Sequence, residues 1–180
     1  LLLNSCFVVN YGLLSALLTT SDVAILDTYV HASIIDGCCK TNKVFFNHND
    51  PDSLKSAMIK ASRYKNKLVI IEGVYSMDGD IAKLSEIVTI AKENGAWVML
   101  DESHALGVIG QYGKGTQSHL KIHEKADIIT GSMGKALGGI GGYLAGTKKL
   151  VDLMEITNRP FIYSTSIPPS VVAGLIKAIE

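Results

Sequence analysis

The chain has 180 residues, of which 47% are apolar, and its 17 basic residues balance its 17 acidic ones. This size and composition predict a globular domain with a substantial core and exclude a disordered or fibrous chain. The neutral charge balance also removes the simplest electrostatic argument for a nucleic-acid partner.

The N-terminal region is apolar but is interrupted by Asn4, Asn10, Ser15 and the polar run 19–22. No window therefore reaches the roughly 18 uninterrupted apolar residues of a membrane span, and we expect this region to belong to the core. It also lacks the basic leader of a signal peptide. Because the initiator Met is missing, we expect the chain to begin inside a larger protein.

Seven short apolar runs rich in β-forming residues alternate with helical patterns. The runs are 23–27, 43–48, 67–75, 96–103, 126–132, 142–147 and 161–166. The clearest helical patterns cover 50–65 and 80–95, and Gly95 lies where a helix C-cap is expected. Such alternation predicts an α/β fold with a mostly parallel sheet covered by helices on both faces. No repeat or linker divides the chain, so we expect one domain over 1–180.

The three cysteines are Cys6, Cys38 and Cys39. An odd count with two adjacent residues is typical of reduced thiols in a cytoplasmic protein rather than of a disulfide framework. Their spacing does not suit zinc, and we expect no metal site.

Polar residues that follow the predicted strands are the candidate functional residues, because ligands of open α/β sheets bind outside the carboxyl ends of the strands. In chain order these residues are His31, Ser76, Asp101, His104, Ser132, Lys135 and Ser164 to Ser166.

The segment 131–146 places Lys135 among seven glycines. It is not a P-loop, because Ile129 and Ala136 stand where that motif needs glycine and a hydroxyl residue. It is not a dinucleotide fingerprint either, because Leu144 replaces the third glycine. A flexible turn with a solvated lysine stays open, but an amine at a strand exit can form a Schiff base if partial desolvation lowers its pKa.

Asp101 ends a strongly apolar strand, where a buried carboxylate requires a cationic partner such as a pyridinium nitrogen. A helix N-cap is the equal alternative. His104 is either a structural histidine or a metal ligand beside Asp101, although no third ligand lies nearby. His31 can be a turn histidine. The hydroxyls of Ser132 and 164–166 suit either turns or a bound phosphate.

Six motifs occur in order: "NSCFVVNYG", "HASIIDG", "GVYSMDGD", "DESHALGVIGQYGKG", "ITGSMGKALGGIGGY" and "RPFIYSTSIPP". Together they strongly resemble the pyridoxal-phosphate-dependent α-oxoamine synthases over essentially the whole chain. The resemblance implies a three-layer fold-type I large domain with a mostly parallel seven-stranded sheet. Family members are longer, so it also implies a fragment that lacks an N-terminal segment and a small C-terminal domain carrying the arginine for the substrate carboxylate.

The resemblance assigns roles to individual residues. Lys135 matches the lysine that forms the Schiff base with pyridoxal phosphate, and Asp101 matches the carboxylate that pairs with the pyridinium nitrogen. His104 matches a histidine that contacts the phenolic oxygen of the cofactor, and Ser76 matches a serine near that oxygen. His31 matches the histidine that stacks on the ring.

The remaining matches concern the cofactor phosphate. Cys6 and Phe7 match the turn on the phosphate side, and Ser132 keeps the hydroxyl of a threonine that is usual in relatives. Ser164 and Thr165 match residues that reach the phosphate of the neighbouring subunit. The resemblance therefore implies a homodimer with shared active sites.

The implied activity is the condensation of an amino acid with an acyl-CoA or acyl-carrier thioester, usually with loss of CO2. Lys135 is then the base that removes the Cα proton, and Asp101 keeps the ring nitrogen protonated. The tail "RPFIYSTSIPP" favours the branch that joins L-alanine to a pimeloyl thioester in biotin synthesis. "ADIITGSMGKALGG" resembles the branch that uses glycine and acetyl-CoA, and a serine-using branch is a further alternative. An aminotransferase or lyase with the same cofactor, or a non-catalytic cofactor-binding remnant, stays open.

Overall fold

The computed structural model describes residues 1–122 and 126–180, which form a seven-stranded sheet with helices on both faces. The strands are β1 Leu2–Leu3, β2 Val23–Asp27, β3 Asn42–Phe46, β4 Lys67–Glu72, β5 Trp97–Asp101, β6 Ile128–Ser132 and β7 Gly142–Ala145. The helices are α1 Cys6–Leu17, α2 Ala32–Gly37, α3 Pro51–Lys60, α4 Leu84–Glu93, α5 Thr116–Leu120, α6 Lys148–Thr157, α7 Arg159–Ile162 and α8 Pro169–Ile179.

The strand order is β1-β7-β6-β5-β4-β2-β3. Strands β2 to β6 are mutually parallel, whereas β7 pairs antiparallel with β6 and β1 pairs antiparallel with β7. The predicted α/β class with a mostly parallel sheet is therefore confirmed. The carboxyl ends of the five parallel strands meet at one edge, where Glu72 and Asp101 stand opposite each other in register.

The core has two layers because successive strand residues point to opposite faces of the sheet. Val69 and Ile71 of β4 face one layer with α3 and α4, whereas Leu68 and Ile70 face the other with α1 and α2. Burial on both faces explains why the strands read as continuous apolar runs rather than as alternating ones.

The two predicted helical patterns correspond to α3 and α4. Asp50 caps α3 by accepting hydrogen bonds from the backbone N–H groups of Asp52 and Ser53, and Pro51 occupies the first turn. Helix α4 ends at Glu93, and Gly95 just beyond it has a φ of 65°, as expected for a residue that terminates a helix.

The predicted strand over 161–166 is wrong. Arg159–Ile162 is helix α7, whose first turn is capped by the Asn158 side chain accepting from the Phe161 N–H at 3.1 Å. The seventh strand is instead Leu2–Leu3, which pairs with Tyr143 and Gly142. Within the described residues, none of the helices combines the length and the apolar character needed to cross a bilayer.

Candidate active site

A cleft of about 220 Å³ lies at the carboxyl edge of the sheet. It is bounded by the ends of β4, β5 and β6, by the start of α1 and by the turn before α2. Its lining residues are Ser5, Cys6, Phe7, Asn10, His31, Ser33, Glu72, Asp101, Ser103, His104, Ser132 and Lys135. Seven of the sequence-predicted site residues thus meet in one cleft, whereas Ser76, Ser164 and Thr165 do not line it.

Asp101 is 3% exposed at the end of β5. Its Oδ1 accepts from the Ser103 N–H at 2.9 Å, and its Oδ2 accepts from Asn10 Nδ2 at 2.8 Å. The chain turns after Asp101 without forming a helix, so the carboxylate caps a turn rather than a helix. In residues 1–122 and 126–180 no ion pair involves it. The buried charge therefore faces the cleft.

Lys135 reaches across the cleft from the loop after β6 to His104, which follows β5, and its Nζ hydrogen-bonds His104 Nε2. Burial lowers the pKa of His104, the positive charge of Lys135 lowers it further, and Asp101 only partly opposes the shift. The imidazole is therefore neutral at neutral pH, and its Nε2 accepts the bond from Lys135 Nζ.

His31 is the N-cap of α2. Its Nδ1 accepts from the Ser33 N–H at 3.2 Å and lies 2.8 Å from the Ser33 hydroxyl. The Phe7 ring packs edge-on against the imidazole with a centroid separation of 6.2 Å. His31 thus has the structural role of a turn histidine and also lines the cleft.

The N-terminus of the 12-residue helix α1 opens into the cleft. Ser5 Oγ accepts from the Val8 N–H at 3.2 Å, which leaves the N–H groups of Cys6 and Phe7 without an intrahelical acceptor. Free N–H groups and the positive end of the helix dipole favour an anion such as a phosphate. Gly142 packs against this turn so closely that a Cβ there would lie 2.5 Å from the Cys6 nitrogen.

The Cys6 thiol is not a nucleophile in this setting. Burial and, to a smaller extent, the nearby Asp101 charge raise its pKa to about 12. Ser103 Oγ donates to Cys6 Sγ at 3.2 Å. Cys6 therefore stays a neutral thiol that packs beside Asp101.

The hydroxyl residues occupy different places. Ser132 Oγ accepts from the Gly134 N–H at 3.1 Å and lines the cleft. Ser76 is exposed in the loop after β4. Ser164 and Thr165 are exposed after α7, where the Ser164 hydroxyl donates to Pro160 O at 2.6 Å. Asp101 and His104 belong to no group of three potential metal ligands in the described part of the chain.

Sequence reasoning missed five cleft residues, which are Ser5, Asn10, Ser33, Glu72 and Ser103. Asn10 is 1% exposed within the apolar helix α1, and its amide donates to Asp101 and to Ser33. Glu72 is 2% exposed at the end of β4. For Asn10 and Glu72 the available signal was a polar residue in an otherwise largely apolar run.

Comparisons of the sequence and the fold with known proteins identify the family of the chain. A profile of the family "Aminotransferase class I and II" matches residues 1–180. The chain is 43% identical to 8-amino-7-oxononanoate synthase from Bacillus pumilus, covering 100% of this chain and 46% of that protein. It is 44% identical to mitochondrial 2-amino-3-ketobutyrate coenzyme A ligase from Bos taurus, covering 98% and 43% respectively. The chain thus spans less than half the length of these curated relatives.

The fold is similar to that of a serine palmitoyltransferase from S. paucimobilis solved with a bound PLP–myriocin aldimine. The TM-score is 0.94 at 35% sequence identity, over 99% of this chain and 46% of the other. A structure of 8-amino-7-oxononanoate synthase from Francisella tularensis matches with a TM-score of 0.85 at 28% identity, over 99% of this chain and 52% of the other.

Proposed function

Because the chain belongs to the class I and II aminotransferase family, we propose that it acts as a pyridoxal-phosphate-dependent α-oxoamine synthase. Such an enzyme condenses an amino acid with an acyl-CoA or acyl-carrier thioester, releases the thiol and usually CO2, and forms an α-aminoketone. The observation that carries the proposal is the meeting of Lys135, Asp101 and His104 in one cleft with the start of α1.

The donor set of the cleft fits the cofactor. Asp101 is a buried carboxylate that suits a pyridinium nitrogen, and the free N–H groups of Cys6 and Phe7 suit a phosphate. Lys135 is the amine available to the aldehyde, and His31 would lie against the ring. Bound pyridoxal phosphate supplies the electron sink for negative charge at the substrate Cα.

The residues of the chain contribute proton transfer and orientation. Lys135, in its neutral form, takes the substrate Cα proton at Nζ. The neutral His104 holds that amine at the exit of β6 by accepting its hydrogen bond. Asn10 and Ser103 fix the orientation of the Asp101 carboxylate through the two bonds described above.

Within the family we propose L-alanine and a pimeloyl thioester as substrates, because the tail "RPFIYSTSIPP" resembles that branch and the 43% identical relative is an 8-amino-7-oxononanoate synthase. The alternative is glycine with acetyl-CoA, which the 44% identity to 2-amino-3-ketobutyrate coenzyme A ligase supports equally well. A serine palmitoyltransferase-like reaction is the third candidate, supported by the similar fold.

We further propose that 1–180 is the cofactor-binding domain and that the enzyme is a homodimer. Ser164 and Thr165 are exposed and lie outside the cleft of their own chain, which is consistent with a contact to the cofactor phosphate of a partner subunit. Sedimentation of the protein with and without cofactor tests the dimer. A cytoplasmic location stays a prediction.

The decisive test is borohydride reduction of the purified protein with pyridoxal phosphate, followed by peptide mapping. We expect a reduced adduct on Lys135 that is lost in Lys135→Ala and kept in Lys149→Ala, which removes an exposed lysine after β7. An unchanged adduct in Lys135→Ala would refute the assignment. Release of free thiol from pimeloyl-CoA with alanine, or from acetyl-CoA with glycine, then separates the two branches. A transaminase would instead require only a keto acid.

A further inference from the structure

Glu72 is a buried carboxyl of the cleft to which the mechanism above gives no role. It ends β4 in register with Asp101 of β5, and residues paired in a parallel ladder direct their side chains to the same face of the sheet. Both side chains line the cleft. Two carboxyl groups therefore stand side by side at the position proposed for the ring of the cofactor.

The two carboxyls have very different surroundings. Both oxygens of Asp101 accept hydrogen bonds from Ser103 and Asn10. Within the described residues, Glu72 Oε1 is buried and has no hydrogen-bond partner. A buried carboxylate oxygen without a donor disfavours the charged form, so burial favours the protonated form of Glu72.

Several charged or titratable groups surround Glu72. Asp101 faces Glu72 from β5, and Lys135 faces it from the loop after β6. Tyr75 follows Glu72 three residues later in the chain. The other titratable residues of the cleft are Cys6, His31 and His104. Burial and, to a smaller extent, the negative charge of Asp101 raise the pKa of Glu72 to about 7, against the lowering effect of Lys135 and of nearby backbone N–H groups. Glu72 thus changes charge near neutral pH.

From this arrangement, and resting on the proposed cofactor function, we propose that Glu72 is a positioning residue that switches the charge beside Asp101. Protonated Glu72 leaves Asp101 as the single negative charge at the ring nitrogen. When Glu72 releases its proton to solvent, the site gains a second negative charge. This charge increases the affinity of the site for a cationic pyridinium ring. A bound cation in turn favours ionised Glu72, since linkage is reciprocal.

The test is the apparent Kd for pyridoxal phosphate at pH 5.5 and pH 8.5, measured for the wild type and for Glu72→Gln, which cannot ionise. We expect the ratio of the variant Kd to the wild-type Kd to be near one at the lower pH and to rise by on the order of tenfold at the higher pH. The contributions of Lys135 and of the cofactor phosphate to the pH dependence of the Kd are the same in both proteins. They therefore cancel in the ratio. Glu86→Gln, which removes an exposed carboxylate of α4, should leave the ratio at one throughout.

A Kd ratio for Glu72→Gln that is equal at both pH values would overturn the proposal, because a purely structural role weakens binding at every pH. If Glu72→Gln does not fold, carbon-13 NMR of the glutamate carboxyls in the wild type decides. The Glu72 midpoint should then fall when pyridoxal phosphate is added, and an unchanged midpoint would refute the switch. Absence of any Lys135 adduct in the wild type would instead refute the proposed function, and this inference with it.

Discussion

The side-chain amide of Asn10 connects two walls of the cleft, because its Nδ2 donates to Asp101 Oδ2 at 2.8 Å and to Ser33 Oγ at 3.0 Å. Ser33 in turn contacts the His31 imidazole. One buried amide on α1 therefore positions both the carboxylate proposed for the ring nitrogen and the histidine proposed to lie against the ring.

We expect Asn10→Ala to weaken pyridoxal phosphate binding by about tenfold, because a buried carboxylate that loses a donor costs roughly 1–3 kcal/mol. A fluorescence or absorbance titration with the cofactor measures the change. Asn94→Ala, at the far end of α4, should leave the apparent Kd unchanged. Equal affinities for the two variants would contradict the role given to Asn10.

His48 binds two carboxylates outside the cleft. Its Nδ1 lies 3.1 Å from Asp27 Oδ1 and its Nε2 lies 3.2 Å from Asp80 Oδ1, while the Tyr29 ring stacks on it at 4.2 Å. Burial acts to lower the pKa of His48, but the hydrogen bonds and charges of Asp27 and Asp80 outweigh it and raise the pKa. The contacts tie the loops after β2, β3 and β4 together.

Because the folded state raises the pKa of His48, the ion pairs contribute fully below the unfolded value of about 6.5 and are lost as the pH rises through the folded value. We therefore expect the stability difference between wild type and His48→Gln to be larger at pH 5.5 than at pH 8.5. Urea unfolding at both pH values measures it. The exposed control His119→Gln should show no such dependence, and a His48→Gln difference that grows with pH would contradict the prediction.

Glu102 is a further buried carboxyl, and it accepts hydrogen bonds from Thr116. Its Oε1 accepts from the Thr116 N–H at 2.9 Å and its Oε2 from the Thr116 hydroxyl at 2.8 Å. We expect Thr116→Val to lower the free energy of unfolding by about 1–3 kcal/mol, since the carboxyl loses a donor. Thr116→Ser keeps the hydroxyl and should recover most of that loss in urea unfolding. If Thr116→Val is at least as stable as Thr116→Ser, this hydrogen bond contributes little to the free energy of unfolding.

Gly142 sets the distance between β7 and α1. A Cβ at this position would lie 2.5 Å from the Cys6 nitrogen and 2.6 Å from its Cα, which are backbone atoms that cannot rotate away. We expect Gly142→Ala to destabilise the protein by about 1–3 kcal/mol and to weaken cofactor binding, because the start of α1 must move.

Gly174→Ala is the matched control for Gly142→Ala. Gly174 lies within α8, and a Cβ added there would meet nothing within 4 Å beyond its chain neighbours and the backbone of its own helix. Alanine should therefore be neutral or stabilise the helix by about 1 kcal/mol. Thermal unfolding compares the two variants. Similar losses of stability in the two variants would mean that the close approach of residue 142 to Cys6 does not cause the destabilisation.

Much of the fold was predictable because the parallel strands β2, β4 and β5 are almost entirely buried and read as apolar runs. The run 161–166 fails for a local reason. It has the composition of a strand, but the Asn158 cap starts a helix at Arg159. Conversely, Leu2–Leu3 is too short to be recognised and forms a strand only because β7 lies beside it.

The site was predictable where a polar residue follows a strand, as with Asp101, His104 and Lys135. Asn10 was not, because it lies inside an apolar helix and acquires its environment from distant segments. Glu72 was not, because the predicted run 67–75 placed it inside a strand, whereas β4 ends at Glu72, in register with Asp101. The roles given to Ser76, Ser164 and Thr165 stay predictions, since these residues lie outside the cleft of their own chain.

The pairing of the first residues with β7 has a consequence during synthesis. The Leu1 amine donates to Leu144 O across 143 residues of sequence, and the buried face of α1 packs against β7 and α6. At a translation rate of roughly 5–20 residues per second, about 7–29 s separate the emergence of these partners from the ribosome. During that interval the part of α1 that packs on β7 has no native partner, so its apolar surface stays uncovered on the nascent chain until β7 is made.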